Sequence, residues 1–163
     1  AVVWYERDKN KPHRRGLTGV FFFLTMISAV LTIGREWVSE YMLYPADEVK
    51  MCHYIEENVD SEDVILTDTR HNNAISSLTG TNIVCGSSSI LYYHGLPYQK
   101  AEQAVSMMYQ DPSQQWLFDQ YGVDYILVGP SERYSYVITD ESAFEQQFTL
   151  IHQEGEYHLY ARK

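Results

Sequence analysis

Residues 1–163 read as an α/β chain: a mainly parallel, Rossmann-like three-layer sheet with a C-terminal hairpin, preceded by one transmembrane helix. Three observations carry this. Leu17 to Gly34, LTGVFFFLTMISAVLTIG, is eighteen residues without one charge, and roughly 17–25 such residues are what a helix needs to cross a bilayer's hydrocarbon. Beyond it, Val64 to Thr67, Ile83 to Cys85 and Val123 to Val128 are short apolar runs, as expected of strands covered on both faces. Segments of helical spacing separate those runs, and strands alternating with helices indicate a parallel sheet.

The apolar stretch is flanked asymmetrically. Lys9, Lys11, Arg14 and Arg15 precede it, whereas Arg35, Glu36 and Trp37 follow, with Tyr41 and Tyr44 soon after. Basic residues before and an aromatic shoulder after put the N-terminal side in the cytoplasm. Residues 35–163 are then extracytoplasmic. A buried helix of a soluble domain is the first alternative, because Thr18, Gly19, Thr25, Ser28 and Thr32 dilute the apolarity; such a helix normally shows a polar face. A cleavable signal peptide is the second, and Gly34-Arg-Glu-Trp37 is a poor cleavage site. Ala1 to Tyr5 looks like the end of an earlier apolar span. The expected order is a basic cytoplasmic loop at 1–16, a transmembrane helix at 17–34 and an extracytoplasmic α/β domain at 35–163, in a multi-pass protein of the cell membrane.

Charge divides at the same place. Residues 1–34 hold five Lys/Arg against Glu6 and Asp8, while residues 35–163 hold seven against twenty acids. A domain that acidic repels phosphate, which argues against nucleic acid as a partner. It also disfavours lying flat on anionic lipid. The two cysteines, Cys52 and Cys85, show no CxxC or zinc spacing. Extracytoplasmic placement permits a disulfide, but two buried free thiols are the favoured reading. The fourteen tyrosines suit either a sugar-facing surface or simple packing.

The elements follow in order. Tyr44-Pro45-Ala46-Asp47 signals a helix start, with Asp47 as a candidate cap. Val49, Cys52, Ile55 and Val59 then recur at helical spacing as far as the acidic turn Asp60 to Asp63. The first strand, Val64 to Thr67, opens into the polar loop Asp68 to Asn73. A brief helix spans Ala74 to Leu78, stopped near Gly80. After Ile83 to Cys85 comes the small-residue loop Gly86 to Ser89, read without a helix start behind it. Tyr98 to Tyr109 is helical, and Asp111-Pro112 signals another helix with Trp116, Leu117 and Tyr121 facing inward. Gly122 ends it, and the third strand, Val123 to Val128, leads into Gly129 to Arg133. A last helix near 141–148 precedes two strands joined at Gly155, a closing hairpin.

In an open parallel sheet, ligands bind beyond the carboxyl ends of the strands. Here those ends carry Asp68, Arg70, His71 and Asn72; then Ser87, with His94 at the next corner; then Glu132 and Arg133. Asp68, Arg70 and His71 suit hydroxyls or a phosphate, and Glu132 and Arg133 suit a ligand or each other. These are the candidate substrate-binding residues. The plainer account is that Asp and Asn after a strand cap the next helix and that adjacent Glu and Arg form a solvated pair. No GxGxxG, GxxxxGK[ST] or GxSxG occurs, so no phosphate loop or nucleophile elbow is expected. His53, His94, His152 and His158 lie at spacings that suit no metal. No cofactor and no catalytic residue is assigned.

One longer match runs through Ile65 to Gly86, Tyr93 to Tyr98 and Tyr121 to Arg133. Thr67, His71, Asn72, Gly80, His94, Gly95, Tyr98, Gly129 and Glu132 fall on its positions, and Thr81 stands where the pattern has Arg. It resembles the C-terminal extracytoplasmic domain of polytopic bacterial and archaeal membrane proteins related to the GT-C glycosyltransferases, over roughly residues 17–163. The resemblance implies a membrane glycosyltransferase with a polyprenyl-phosphate-linked sugar or a glycan acceptor as partner, beside the lipid bilayer. It implies too that catalytic acids lie in early outer loops before Ala1, leaving this domain accessory. The competing class is a non-catalytic, membrane-anchored extracytoplasmic binding domain. A soluble enzyme with an unusually apolar helix ranks last.

Overall fold

A computed structural model describes residues 12–39 and 41–163. The expected end of an earlier span at 1–5, and the basic loop up to residue 11, lie outside the described residues. The chain divides into two compact units, 1–42 and 43–163.

The first unit contains helix α1, Pro12–Val38. Proline at its first position has no N–H to leave unpaired there. At 1.5 Å per residue the helix is roughly 40 Å long. Its segment Arg15–Val38 is long and apolar enough to cross a membrane, and none of it is buried. The core-helix alternative required burial. Two of the hydroxyls that dilute its apolarity bond the helix's own backbone: Thr25 Oγ1 donates to the Phe22 carbonyl at 2.8 Å, and Thr32 Oγ1 to that of Ser28 at 2.9 Å. Such back-bonding lowers the cost of a hydroxyl in hydrocarbon.

The second unit is an α/β domain with a five-stranded sheet in the order β2-β1-β3-β5-β4. Its strands are β1 (Val64–Leu66), β2 (Asn82–Ile83), β3 (Val123–Val128), β4 (Phe148–Glu154) and β5 (Tyr157–Arg162). β1 pairs in parallel with β2 and β3, whereas β5 runs antiparallel to both β3 and β4. The sheet is therefore half parallel and half antiparallel, a correction to the mainly parallel expectation. The closing hairpin accounts for the difference, because β5 inserts beside β3 rather than standing apart from the sheet. Its turn is Gly155-Glu156, with Gly155 at φ 56°. Glycine meets that demand without a Cβ penalty.

Successive side chains on a strand point to opposite faces, and two cores result. Leu66, Ile126, Val128 and Tyr160 pack against α5 (Gln99–Gln110) and α6 (Gln115–Tyr121). Ile65, Leu127 and Leu159 pack against α2 (Ala46–Asn58) and α3 (Ala74–Leu78). Cys85 belongs to the first core and Cys52 to the second; both are free thiols. Burial, with Glu48 adding to it, pushes the Cys52 thiol up to about 12, so it is inert as a nucleophile at neutral pH.

Four further local expectations are corrected. A six-residue helix, α4 (Ser88–Tyr93), follows Ser87 where only a loop was expected. The second strand keeps just Asn82 and Ile83. Asp111 does not start a helix: its carboxylate accepts from Ser113 N, Ser113 Oγ and Gln114 Nε2, closing a turn that delays α6 to Gln115. That shift leaves Trp116 exposed and buries Phe118 instead. The last helix shortens to α8 (Ser142–Glu145), because Phe148 is buried as the first residue of β4.

Candidate functional site

The order β2-β1-β3 means the chain leaves β1 to one side for β2 and returns on the other side for β3. The carboxyl ends of β1 and β3 thus flank a reversal of strand order, where open α/β sheets place their ligand crevices. The β1–β3 pairing ends at Leu66 and Ile126. There Tyr109 of α5 inserts its hydroxyl, which donates to the Leu127 carbonyl at 2.6 Å and lies 3.0 Å from that of Leu66. Burial drives this phenol far above its ordinary range, fixing it as a neutral donor.

Beyond this point the chain builds a buried polar cluster. Gly129 ends β3, and Pro130 opens α7 (Pro130–Tyr136), whose third residue is Glu132. The Glu132 side chain folds back to accept from Gly129 N at 3.0 Å, as acids at this helical position do. Its other oxygen accepts from Thr67 Oγ1 at 3.0 Å and Asp68 N at 3.1 Å. One carboxylate therefore joins the ends of both strands while only 1% exposed. Burial, reinforced by the charge of Asp68, raises Glu132 to about 7 despite those three donors.

Asn73 organises the other side. Its Oδ1 caps α3 through Ser76 N, and its Nδ2 lies 2.9–3.0 Å from Thr67 Oγ1, the Asp68 carbonyl and Asp68 Oδ1. Asp68 accepts from Ser131 Oγ as well. Arg70 pairs with Glu48 and faces Asp68, its Nε 3.4 Å from Asp68 Oδ2. Burial pulls the guanidinium down, but Asp68, Glu48 and Glu132 outweigh it. Burial raises Glu48 against the attraction of Arg70. Among the described residues, the buried Glu48 Oε2 has no hydrogen-bond partner, and neither does Arg70 Nε.

Three of the eight candidate residues thus meet: Asp68, Arg70 and Glu132. His71 and His94 are exposed, Asn72 is half-buried and Ser87 is buried at the start of α4; none of these four joins the cluster's hydrogen bonds. Arg133 turns elsewhere. It donates from Nε to Glu141 Oε1 at 2.7 Å, while Glu141 Oε2 accepts from Tyr160 at 2.6 Å and contacts His158 Nδ1 at 2.7 Å. Burial raises Glu141, but its Tyr160, His158 and Arg133 partners outweigh this and hold it below the ordinary carboxylate range.

Sequence reasoning missed Glu48, Asn73, Ser131 and Tyr109. Glu48 left a readable signal. It stands on the buried stripe Glu48, Met51, Cys52, Ile55 of α2, and a charge on an apolar stripe needs a partner. Tyr109 left none, because an apolar stripe containing tyrosine is ordinary packing.

Chemically, three carboxylates around one guanidinium make an acceptor-rich centre, suited to hydroxyl donors. Among the described residues no group of three His, Cys, Asp or Glu is placed to hold a metal ion. A cavity of about 320 Å³ adjoins the cluster through the Tyr109–Tyr136 stack, with Phe144, Ile138 and Thr139 among its walls.

Gly129 leaves no room for a side chain. A Cβ there would stand 2.6 Å from the Tyr157 ring and 3.1 Å from Glu132 Oε2. Gly129→Ala is expected to cost about 1–3 kcal/mol, as overpacking does, read as a lower urea midpoint for the intact chain in detergent micelles. An unchanged midpoint would mean that the Tyr157 ring moves freely aside.

No protein-family model matches the chain, and no curated protein does. Among solved structures, it is similar to the C-terminal globular domain of an oligosaccharyltransferase from Archaeoglobus fulgidus, with a TM-score of 0.50 and 12% identity. The likeness covers 75% of this chain and 100% of that one. At that identity it is a likeness of fold.

Proposed function

We propose that this chain is the C-terminal part of an integral membrane glycosyltransferase of the GT-C kind, using a lipid-linked sugar. Helix α1 is its membrane span, with the N-terminal side cytoplasmic. Residues 35–163 form an extracytoplasmic, Rossmann-like three-layer domain that assists the active site without containing it. The observation that carries this reading is the pairing of an oligosaccharyltransferase-like C-terminal fold with a preceding helix long and apolar enough to span a bilayer. The loops at the strand ends, with Asp68, Arg70, His71, Asn72, Ser87, His94, Glu132 and Arg133, are the proposed contact region for the sugar or its acceptor.

A second reading has one specific observation in its favour. Asp68 and Glu132 are buried and already engaged by internal donors, as in a structural network of a non-catalytic binding domain.

Membranes carrying the full-length protein separate these readings in an assay of sugar transfer from a polyprenyl-phosphate-linked donor. The transferase reading expects His71→Ala to lower transfer at unchanged abundance, since that exposed side chain makes no bond among the described residues. Transfer that never rises above background membranes favours the binding domain. Orientation is tested separately with Tyr134→Cys, an 89% exposed position, in intact cells. An impermeant maleimide is expected to label it from outside, and labelling only after permeabilisation would reverse the topology.

A further inference from the structure

Residues 71–99 are 29 consecutive positions without an Asp, Glu, Lys or Arg, whereas the other 100 residues of 35–163 carry all 27 charges of that region. The gap holds α3, the edge strand β2 and α4. Within it α4 buries none of its residues, although Leu91 packs partly against the first core and fixes it there. Ile90, Tyr92, Tyr93 and Leu96 are exposed, Tyr93 by 85%. The corner that carries them is well formed. Gly95 takes φ 68°, its N–H donates to the Tyr92 carbonyl at 3.0 Å, and Leu96 N donates to the Leu91 carbonyl at 2.9 Å. The rings of Tyr92 and Tyr93 meet edge to face at 5.5 Å. Four large apolar or aromatic side chains thus stand on a hydrogen-bonded turn in the uncharged stretch of an acidic domain.

We propose that this corner, residues 88–97, is a membrane-interface contact, seated in the headgroup region of the bilayer that α1 crosses. The proposal rests on α1 spanning that bilayer. Tyrosines with aliphatic neighbours are the side chains that partition to the headgroup level. Carboxylates are repelled from a negatively charged leaflet, and residues 71–99, which include the corner, contribute none. Only residues 39–45 separate α1 from α2, and seven extended residues reach at most about 25 Å. The anchored domain is therefore held at the bilayer, where an exposed apolar corner gains by burial in the interface.

The test uses the full chain reconstituted in phosphatidylcholine vesicles, with an environment-sensitive fluorophore on Tyr93→Cys or, as control, on Tyr134→Cys. Tyr134 is 89% exposed on α7, whose sequence includes Glu132 and Arg133. Nitroxide lipids labelled near the headgroup should quench the fluorophore at 93 several-fold more than that at 134, and adding Tyr92→Asp should reduce the difference. Equal quenching at both positions in a chain that resists alkaline carbonate extraction would overturn this contact while leaving the anchor intact. Release by carbonate would remove the anchor reading and the contact with it. A shielded, unquenched label at 93 that becomes solvent-exposed on dilution into excess lipid would mean that a second copy covers the corner, which also overturns the proposal.

Discussion

Arg70→Met is expected to lower the stability of the α/β domain by about 3 kcal/mol, the scale on which breaking a buried ion pair destabilises a protein. The reason lies in what remains. Glu48 and Asp68 are each 2% exposed, and Arg70 is the cation that both face. Without it Glu48 must either hold a buried charge or take up a proton, and its carboxyl is raised by burial already. Urea unfolding of the intact chain in detergent micelles, followed by tyrosine fluorescence, reads the change. Adding Glu48→Gln to Arg70→Met is expected to restore part of the loss, since it removes the charge that Arg70 compensates. A double variant as unstable as the sum of two single losses would show that Arg70 acts through packing of its stem and not through the pair.

The second large effect is a dependence on pH that runs opposite to the usual behaviour of carboxylates. In the folded domain Glu132 is raised to about 7, by burial first and by Asp68 second. A raised carboxyl means that the folded state holds its proton more tightly than the unfolded chain does. Its contribution is therefore complete below the unfolded value of about 4.5 and is lost as pH climbs towards 7. A difference of this size corresponds to on the order of 3 kcal/mol. The domain should be more stable at pH 5 than at pH 8, and Glu132→Gln should flatten that slope. Glu141, held below the ordinary range, acts in a separate window, its contribution present above about 4.5 and lost in acid below it. If wild-type protein and Glu132→Gln show parallel stability profiles between pH 5 and 8, Glu132 is ionised throughout and its three donors outweigh its burial.

These two predictions concern the same cluster but different requirements of it. Arg70 compensates charge across the loop after β1, whereas Glu132 ties the ends of β1 and β3 together through Thr67, Asp68 and Gly129. A site at a strand-order reversal needs both, because the backbone there has left the sheet ladder and its N–H groups need other acceptors. Tyr109 does the complementary work for the carbonyls of Leu66 and Leu127.

Much of this was legible in the residues. The helix over 17–34, the run at Val123–Val128, the brief helix Ala74–Leu78 and the hairpin turn at Gly155 are local matters. Apolar periodicity, run length and the freedom of glycine decide them without reference to distant parts of the chain. Asp68 and Glu132 could be singled out because they follow strands, where open sheets leave polar ends. The convergence of Asp68, Arg70 and Glu132 was half visible, since all three lie on strand-end loops.

What sequence alone did not decide depended on partners far along the chain. Glu48 reads as a charge on an apolar stripe that needs a partner, but nothing local names that partner until Arg70, 22 residues on, is brought against it. Arg133 reads as Glu132's neighbour, yet α7 sends the two side chains to different clusters, one at the strand ends and one at Glu141. The half-antiparallel sheet belongs here too, because nothing local in Tyr157–Arg162 says that it inserts beside β3. Local propensity and patterning are properties of a segment, and the sequence determined those. Pairing, charge compensation and the burial that raises Glu132 are properties of contacts 22 to 65 residues apart, and only the tertiary structure determined them.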